Sequence, residues 1–216
     1  MAGKLLDLET WPGAPHFRLF SGFERPQYNV TSRVNVTALM TAKDTHGLSP
    51  FRTIIWAIGK GLDAVPELRM RFTRDAGGEP IVTLHDHAVM SATIDRPDGS
   101  FGFSYFEWQD DRSVFDQKAA AHIAEVRADD GFHPDAAEHQ CLAYLSCLPW
   151  LDYTSIDNVI PHRDDCTPRV SWGRIVERVG GGHEMAMTLE AHHAFVHGRQ
   201  VGAFFEAVGD ALNSVD

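Results

Sequence analysis

Histidine side chains concentrate in one short stretch near the end of the chain, His192-His193-Ala194-Phe195-Val196-His197-Gly198. Imidazole is the side chain whose ordinary pKa suits proton transfer near neutral pH. The preceding residues 184–191 alternate like a strand; His193 continues their apolar face, and His192 lies on the opposite face. Partial desolvation of His193 would favour the neutral imidazole that a general base requires. A core histidine bonded to a backbone carbonyl is the alternative interpretation of the same pattern.

A metal site is a second alternative for this stretch. His193 and His197 are four residues apart and His192 is adjacent, and two histidines one helical turn apart can share a metal ion. Gly198, however, indicates that the following helix begins only after His197, and no acidic residue lies between the two histidines. We therefore expect no metal here.

Composition sets wider limits. The chain has 216 residues, 44% of them hydrophobic, which predicts one globular domain over 1–216 with a sizeable core. Its net charge of -11 argues against nucleic acid and anionic membrane surfaces as partners. Cys141 and Cys147 fall in one strand-like run, about 20 Å apart if extended, too far to form a disulfide. With three cysteines in all, a reduced cytoplasmic protein is the simplest interpretation.

Strand-like and helical patterns alternate along the chain, which predicts an α/β sandwich. Ser49 and Pro50 begin a helix that Pro66 ends, Ser113 is the predicted cap of a second helix, and a third begins near Arg199. The predicted strands cover residues 28–36, 68–73, 81–84, 101–108, 141–148, 170–179 and 184–191, with a hairpin turn at 180–182.

Two further stretches precede the histidine run in order: Pro66-Glu67-Leu68-Arg69-Met70-Arg71 and Leu145-Ser146-Cys147-Leu148-Pro149-Trp150. Together the three resemble the chloramphenicol acetyltransferase family, over essentially the whole chain. The resemblance implies a two-layer α/β sandwich with a mixed β-sheet flanked by helices. It also implies an O-acyltransferase that uses acetyl-CoA as co-substrate, a homotrimer with active sites at the subunit interfaces, and a role in antibiotic resistance.

The same resemblance assigns chemistry to two residues. It implies that His193 is the general base that deprotonates an acceptor hydroxyl, and that Ser146 stabilises the tetrahedral oxyanion. These groups suit acyl transfer from a thioester, which needs a base for the acceptor proton and a donor where negative charge develops. Taken alone, Ser146 has the ordinary interpretation of a buried, hydrogen-bonded hydroxyl.

Further positions follow from the resemblance. Ser171 falls where the family has a threonine near the reacting centre, and Arg174 where it has a lysine near the coenzyme phosphates. Phe20 falls on an aromatic wall of the pocket. A solvated strand arginine and an ordinary core phenylalanine are the alternative interpretations of Arg174 and Phe20.

The chain also departs from the family pattern. His197 stands where the motif carries an aspartate, and Gly13 aligns with the arginine that pairs with this aspartate. Losing both partners of an ion pair is far less costly than losing one, so the double change suggests a retuned site in which His197 is structural.

The acceptor pocket differs as well. Tyr144 replaces an asparagine, Arg169 replaces an apolar wall residue, and Trp172 follows Ser171. A charged pocket would disfavour chloramphenicol and favour another, polar or anionic, acceptor, unless Arg169 points into solvent. The alternative function is a non-catalytic trimeric relative that binds a ligand.

Overall fold

A six-stranded mixed sheet forms the centre of the molecule. The computed structural model describes residues 3–132 and 139–215. The strands of the large sheet lie in the order β2-β9-β8-β7-β5-β6, and β1-β4-β3 form a small antiparallel sheet. The elements in chain order are β1 (Lys4–Leu5), α1 (Ala14–Phe20), β2 (Gln27–Asn35), α2 (Thr37–His46), α3 (Pro50–Ala64), a 3-10 turn (Pro66–Arg69), β3 (Met70–Arg74), β4 (Pro80–Leu84), β5 (Val89–Asp95), β6 (Phe101–Glu107), α4 (Arg112–Ala128), β7 (Leu142–Leu148), β8 (Arg169–Glu177), β9 (His183–His192) and α5 (Gly198–Asn213).

The two faces of the sheet differ in polarity. Strand β7 is parallel to both β5 and β8, whereas β9 is antiparallel to β8 and β2. Met185, Met187 and Leu189 of β9 are buried in one core with residues of α3 and α5. Because side chains alternate along a strand, Thr188 and Glu190 lie on the opposite, polar face. The mixed α/β architecture with flanking helices confirms the predicted fold class.

The helix termini follow local capping chemistry. The Ser49 hydroxyl accepts a hydrogen bond from the Arg52 amide at 3.4 Å, with Pro50 in the first turn, as predicted. The predicted cap of α4 at Ser113 was wrong, because Asp111 is the N-cap. Its carboxylate accepts hydrogen bonds from the amides of Ser113 and Val114, at 2.8 and 3.1 Å.

The hairpin predicted at 180–182 joins β8 to β9. Gly180, Gly181 and Gly182 all have φ values between 84° and 102°, a region that side chains disfavour. The helices α1 and α2 and the strands β1 and β5 were not predicted. Helix α2 buries only Leu39 and Ala42, so it leaves little hydrophobic periodicity in the sequence.

Within residues 3–132 and 139–215, no helix combines the length and the apolar character needed to cross a membrane. The thiols of Cys141, Cys147 and Cys166 are free.

Close packing of α3 against α5 depends on Gly61. A Cβ atom at Gly61 would lie 2.7 Å from a ring carbon of Phe204 and 2.8 Å from a methyl group of Val208. We expect Gly61→Ala to lower the free energy of unfolding by about 1–3 kcal/mol, since both neighbours must move. Gly209→Ala in α5 is the matched control, because nothing lies within 4 Å of its Cβ position. That control should be neutral or stabilising by up to ~1 kcal/mol. Urea denaturation of the three proteins checks this, and equal effects of the two substitutions would contradict the packing argument.

Candidate active site

His193 follows the end of β9 and is half-buried among aromatic rings. Its imidazole stacks on Phe20 with ring centroids 4.0 Å apart and an interplanar angle of 11°, and the Tyr28 ring lies 4.7 Å away. The His193 amide donates to the carbonyl of Pro26 at 2.9 Å. Its Nδ1 atom is buried without a hydrogen-bond partner. Among the described residues no carboxylate is hydrogen-bonded to this ring, which is held by packing.

His192 has a different environment, on the polar face of the sheet as predicted. Its Nδ1 accepts a hydrogen bond from the Ala194 amide at 3.2 Å, so Nε2 carries the proton and donates to the Arg163 carbonyl at 3.2 Å. Burial, with only 2% of the residue exposed, lowers the pKa of His192 to about 4. Both ring nitrogens are satisfied in the neutral form, which is the bonding of a structural histidine.

Ser146 belongs to a row of hydroxyl side chains across the polar face. It pairs with Ser171 on β8, Ser171 pairs with Thr188 on β9, and Thr188 pairs with Thr31 on β2. Ser171 is 1% exposed and its hydroxyl has no hydrogen-bond partner, whereas Thr188 and Thr31 bond each other at 2.7 Å. Ser146 is half-buried and lines a cavity of about 360 Å³ together with Trp150. The row of hydroxyl side chains therefore ends at Ser146, which borders this cavity.

The structure does not bring Ser146 and His193 of one chain together. Ser146 is level with Thr188, five residues before His193 and two strands away. At about 3.3 Å per residue and about 4.8 Å per strand, their Cα atoms lie roughly 19 Å apart. The Ser146 side chain lies in the hydroxyl row with Ser171 and Thr188, whereas His193, beyond the end of β9, packs on Phe20 and Tyr28. At this separation the two side chains of one chain do not reach the same reacting carbonyl group.

Arg169 is buried and paired, and it does not point into solvent. Its guanidinium lies 2.7 Å from the Asp165 carboxylate and 5.5 Å from the centre of the Tyr144 ring. Burial alone would raise the pKa of Asp165, but the hydrogen bonds from Arg169 and the Thr167 amide outweigh it and lower the pKa. Tyr144 and Arg169 line a cavity of about 540 Å³ with Asp165. The charge that the sequence places in this pocket is neutralised by its neighbour.

Trp172 and Arg174 are both on β8, but Trp172 is buried in the core and Arg174 is on the surface. The Trp172 indole is 2% exposed in the hydrophobic core, 5.8 Å from the Phe51 ring. The structure therefore does not bring this predicted substrate contact to a cavity, because the strand alternation turns it away from Ser171. Arg174 is exposed, and its guanidinium donates to the carbonyls of Pro149 and Trp150.

His197 caps α5 and lies in a cluster with His16 and His193. The ring centroids of His16 and His197 are 4.3 Å apart, and those of His16 and His193 are 5.5 Å apart. Burial, followed by the nearby charges of His16 and His193, lowers the pKa of His197. In the part of the chain that the structure describes, no group of three or more histidine, cysteine or acidic side chains has the geometry of a metal site.

Comparison with known proteins identifies the family. The family model described as chloramphenicol acetyltransferase matches residues 1–208. The chain belongs to the chloramphenicol acetyltransferase family. It is accordingly an acetyltransferase, as the sequence resemblance implied.

Relatives of the family match along nearly their whole length. A chloramphenicol acetyltransferase of Streptomyces acrimycini is 25% identical over 195 residues, which cover 89% of this chain and 86% of the relative. Chloramphenicol acetyltransferase 2 of Escherichia coli is 22% identical, covering 94% and 93%. A solved chloramphenicol acetyltransferase structure superimposes with a TM-score of 0.89 at 27% identity, covering 98% of this chain and all of the other.

The fold extends to a second group of acetyltransferases. The dihydrolipoamide acetyltransferase of Azotobacter vinelandii superimposes with a TM-score of 0.64 at 15% identity, covering 94% of this chain and 87% of the other. At this level of identity the likeness concerns the fold alone.

Some residues around His193 were not found from the sequence. His16, on α1, contacts both His193 and His197, and Asp165 neutralises Arg169. His16 is far from the histidine run in sequence, and no periodic pattern marks it. Asp165 stands four residues before Arg169, a spacing that carries no signal outside a helix. His85, directly after β4, is 7% exposed, and burial lowers its pKa.

The neutral state of His192 makes stability depend on pH. Between pH 6.5 and about 4 the unfolded chain binds a proton at His192 that the native protein does not bind, so stability rises with pH across this window. Acidification from pH 6.5 to 4 should therefore lower the free energy of unfolding through His192 by about 3 kcal/mol.

Denaturant unfolding at pH 7, 5.5 and 4 measures this dependence, with His192→Gln as the matched variant that does not titrate. The variant should lose less stability on acidification than the parent protein. Parallel pH curves for the two proteins would show that His192 is not the titrating group.

Proposed function

We propose that the protein is an acetyl-CoA-dependent O-acyltransferase in which His193 is the general base and Ser146 the oxyanion donor. The observation that carries this proposal is the environment of His193. Its ring is clamped between Phe20 and Tyr28, and its Nδ1 is buried, which leaves Nε2 as the nitrogen for a reactant. A fixed, partly desolvated imidazole meets the requirements of a general base.

The reaction follows from these groups. Nε2 of His193 takes the proton of the acceptor hydroxyl while the hydroxyl oxygen forms a bond to the thioester carbonyl carbon. Negative charge develops on the carbonyl oxygen, and the Ser146 hydroxyl donates a hydrogen bond to it. The tetrahedral intermediate then expels the coenzyme thiolate, which takes the proton from the His193 imidazolium. The products are the acyl ester and free coenzyme A, and His193 is again neutral.

The site requires two copies of the chain. Because the Cα atoms of Ser146 and His193 in one chain lie roughly 19 Å apart, we infer that the serine comes from a neighbouring subunit. A closed ring of three copies satisfies this arrangement, since every subunit then gives one histidine and one serine to different sites. We propose this homotrimer and a cytoplasmic location.

The acyl donor fits the side of the molecule that carries Ser146. Trp150 is 62% exposed beside the Ser146 cavity, and Arg174 is held by the carbonyls of Pro149 and Trp150. A guanidinium suits phosphate groups, so we propose Arg174 as a contact for the phosphates of coenzyme A. Ser171, adjacent to Ser146 and with a free hydroxyl, is proposed as a polar contact near the reacting centre.

We propose an acceptor other than chloramphenicol, bound against Tyr144 and Arg169. The pairing of Arg169 with Asp165 removes the argument for an anionic acceptor. The cavity wall then consists of the Tyr144 ring and the Arg169–Asp165 pair, which carries no net charge. This lining suits an uncharged polar molecule with a hydroxyl group.

Single substitutions test the chemistry. His193→Ala should lower kcat by about 10²–10⁴-fold through loss of the base, and Ser146→Ala by about 10²–10³-fold through loss of the oxyanion donor. Coenzyme A release from acetyl-CoA, measured with chloramphenicol and a panel of hydroxyl-bearing acceptors, provides the assay. Turnover that survives His193→Ala would refute the mechanism. Acetyl-CoA binding without turnover of any acceptor would favour the ligand-binding alternative.

Mixed oligomers test the shared site. Co-expression of His193→Ala and Ser146→Ala chains at equal levels should restore about a quarter of the parent activity, the fraction of intact sites that random assembly of a cyclic trimer gives. Each variant expressed alone is the control. A mixture as inactive as its components would show that histidine and serine act from one chain.

A further inference from the structure

The loop from His193 to His197, which joins β9 to α5, is held by two sets of hydrogen bonds from outside the loop. We propose that His16 and the series His197–Gln200–Glu67 are positioning residues for His193, and that His197 works as a neutral N–H donor which aspartate cannot replace. This proposal rests on the proposed role of His193 as the base.

His16 fixes the backbone of the proposed base from helix α1. Its Nε2 lies 3.0 Å from the carbonyl oxygen of His193. A carbonyl only accepts hydrogen bonds, so Nε2 of His16 carries the proton. The amide of His193 donates to the Pro26 carbonyl at 2.9 Å. Both peptide groups of His193 are thus hydrogen-bonded to segments distant in sequence, which sets the direction of its side chain.

The second set reaches the other end of the loop. Nδ1 of His197 lies 3.0 Å from Oε1 of Gln200, and Nε2 of Gln200 donates to the Glu67 carboxylate at 3.1 Å. Because the carboxylate accepts, the Gln200 amide must present its nitrogen to Glu67 and its oxygen to His197. His197 must then donate from Nδ1. The orientation of every group in the series follows from the carboxylate at its end.

The charges around His197 agree with a neutral donor. The titratable groups that act on His197 are His16 and His193, and Glu67 at the end of the His197–Gln200–Glu67 hydrogen-bond series. Burial and the two histidines lower the pKa of His197 more than Glu67 raises it. A neutral imidazole at His197 keeps the N–H that Gln200 needs and adds no charge beside His193.

An aspartate at this position would oppose the series. A carboxylate at residue 197 has no N–H, so Gln200 would have to turn its amide nitrogen toward it, and its oxygen would then face the Glu67 carboxylate. A side chain at Gly13 would require the Trp11 indole to move, because a Cβ atom there would lie 2.3 Å from it. The hydrogen-bonding groups around residue 197 therefore fit a histidine and not an aspartate.

Two matched pairs of variants test the proposal by kinetics. His16→Phe keeps the ring and removes the donor, whereas His16→Gln retains an N–H near the Nε2 position. His197→Asp and His197→Asn are nearly the same shape, but only asparagine donates a hydrogen bond. We expect His16→Phe and His197→Asp to lower kcat about tenfold or more through misplacement of the base. KM for acetyl-CoA should change less than about twofold, and His16→Gln and His197→Asn should keep most of the activity.

Equal kcat values within either pair would overturn the positioning role of that residue. If His193→Ala itself retains activity, the proposed function fails, whatever these pairs show. If His193→Ala is inactive while His16→Phe and His197→Asp match the parent protein, only the positioning proposal fails. Thermal denaturation of each variant separates loss of fold from loss of position.

Nitrogen-15 NMR of the histidine rings in the full-length protein gives a readout independent of activity. The proposal requires His16 protonated at Nε2 and His197 protonated at Nδ1 at neutral pH, assigned by the signals that His16→Gln and His197→Asn remove. The opposite tautomer at either ring would refute the hydrogen-bond pattern, even if the oligomer acts on none of the acceptors tested.

Discussion

The register of strands β7, β8 and β9 is the constraint on which the proposed site depends. It sets Ser146 level with Ser171 and Thr188, and Thr188 is five residues before His193, which follows the end of β9. The register is specified strongly, because a shift of one residue would move Met185 and Met187 out of the core and the hydroxyl row into it. Hydrophobic burial on one face of the sheet thus fixes the polar arrangement on the other.

The distance between Ser146 and His193 within one chain is the reason why we propose a site shared between subunits. Each chain presents His193 just after the end of β9 and a hydroxyl row at the centre of the sheet, and the proposed acyl transfer uses both. Association of identical copies then becomes a condition of catalysis under the proposed function. The helices contribute by burying the apolar face, with Phe204 of α5 packed directly on Gly61 of α3.

Two changes from the family pattern are compensated locally. Arg169 brings a charge to the wall of a cavity, and Asp165 neutralises it at 2.7 Å. His197 stands where the family resemblance implies an aspartate, and Gln200 and Glu67 provide hydrogen bonds suited to an imidazole. In both places a polar side chain that is buried or partly buried has a hydrogen-bonding partner, and an unpaired polar group in such surroundings is destabilising.

The sequence by itself determined the α/β class, the helix that begins at Ser49 and Pro50, the hairpin at residues 180–182, and the place of His192 on the polar face of β9. These depend on local capping, glycine conformations and strand periodicity, which neighbouring residues decide. Only the tertiary structure decided that Trp172 is in the core, that Arg169 meets Asp165, and that His16 contacts the histidine run. Contacts between residues distant in the chain, such as His16 and His193, leave no periodic signal, because they arise from how the elements pack.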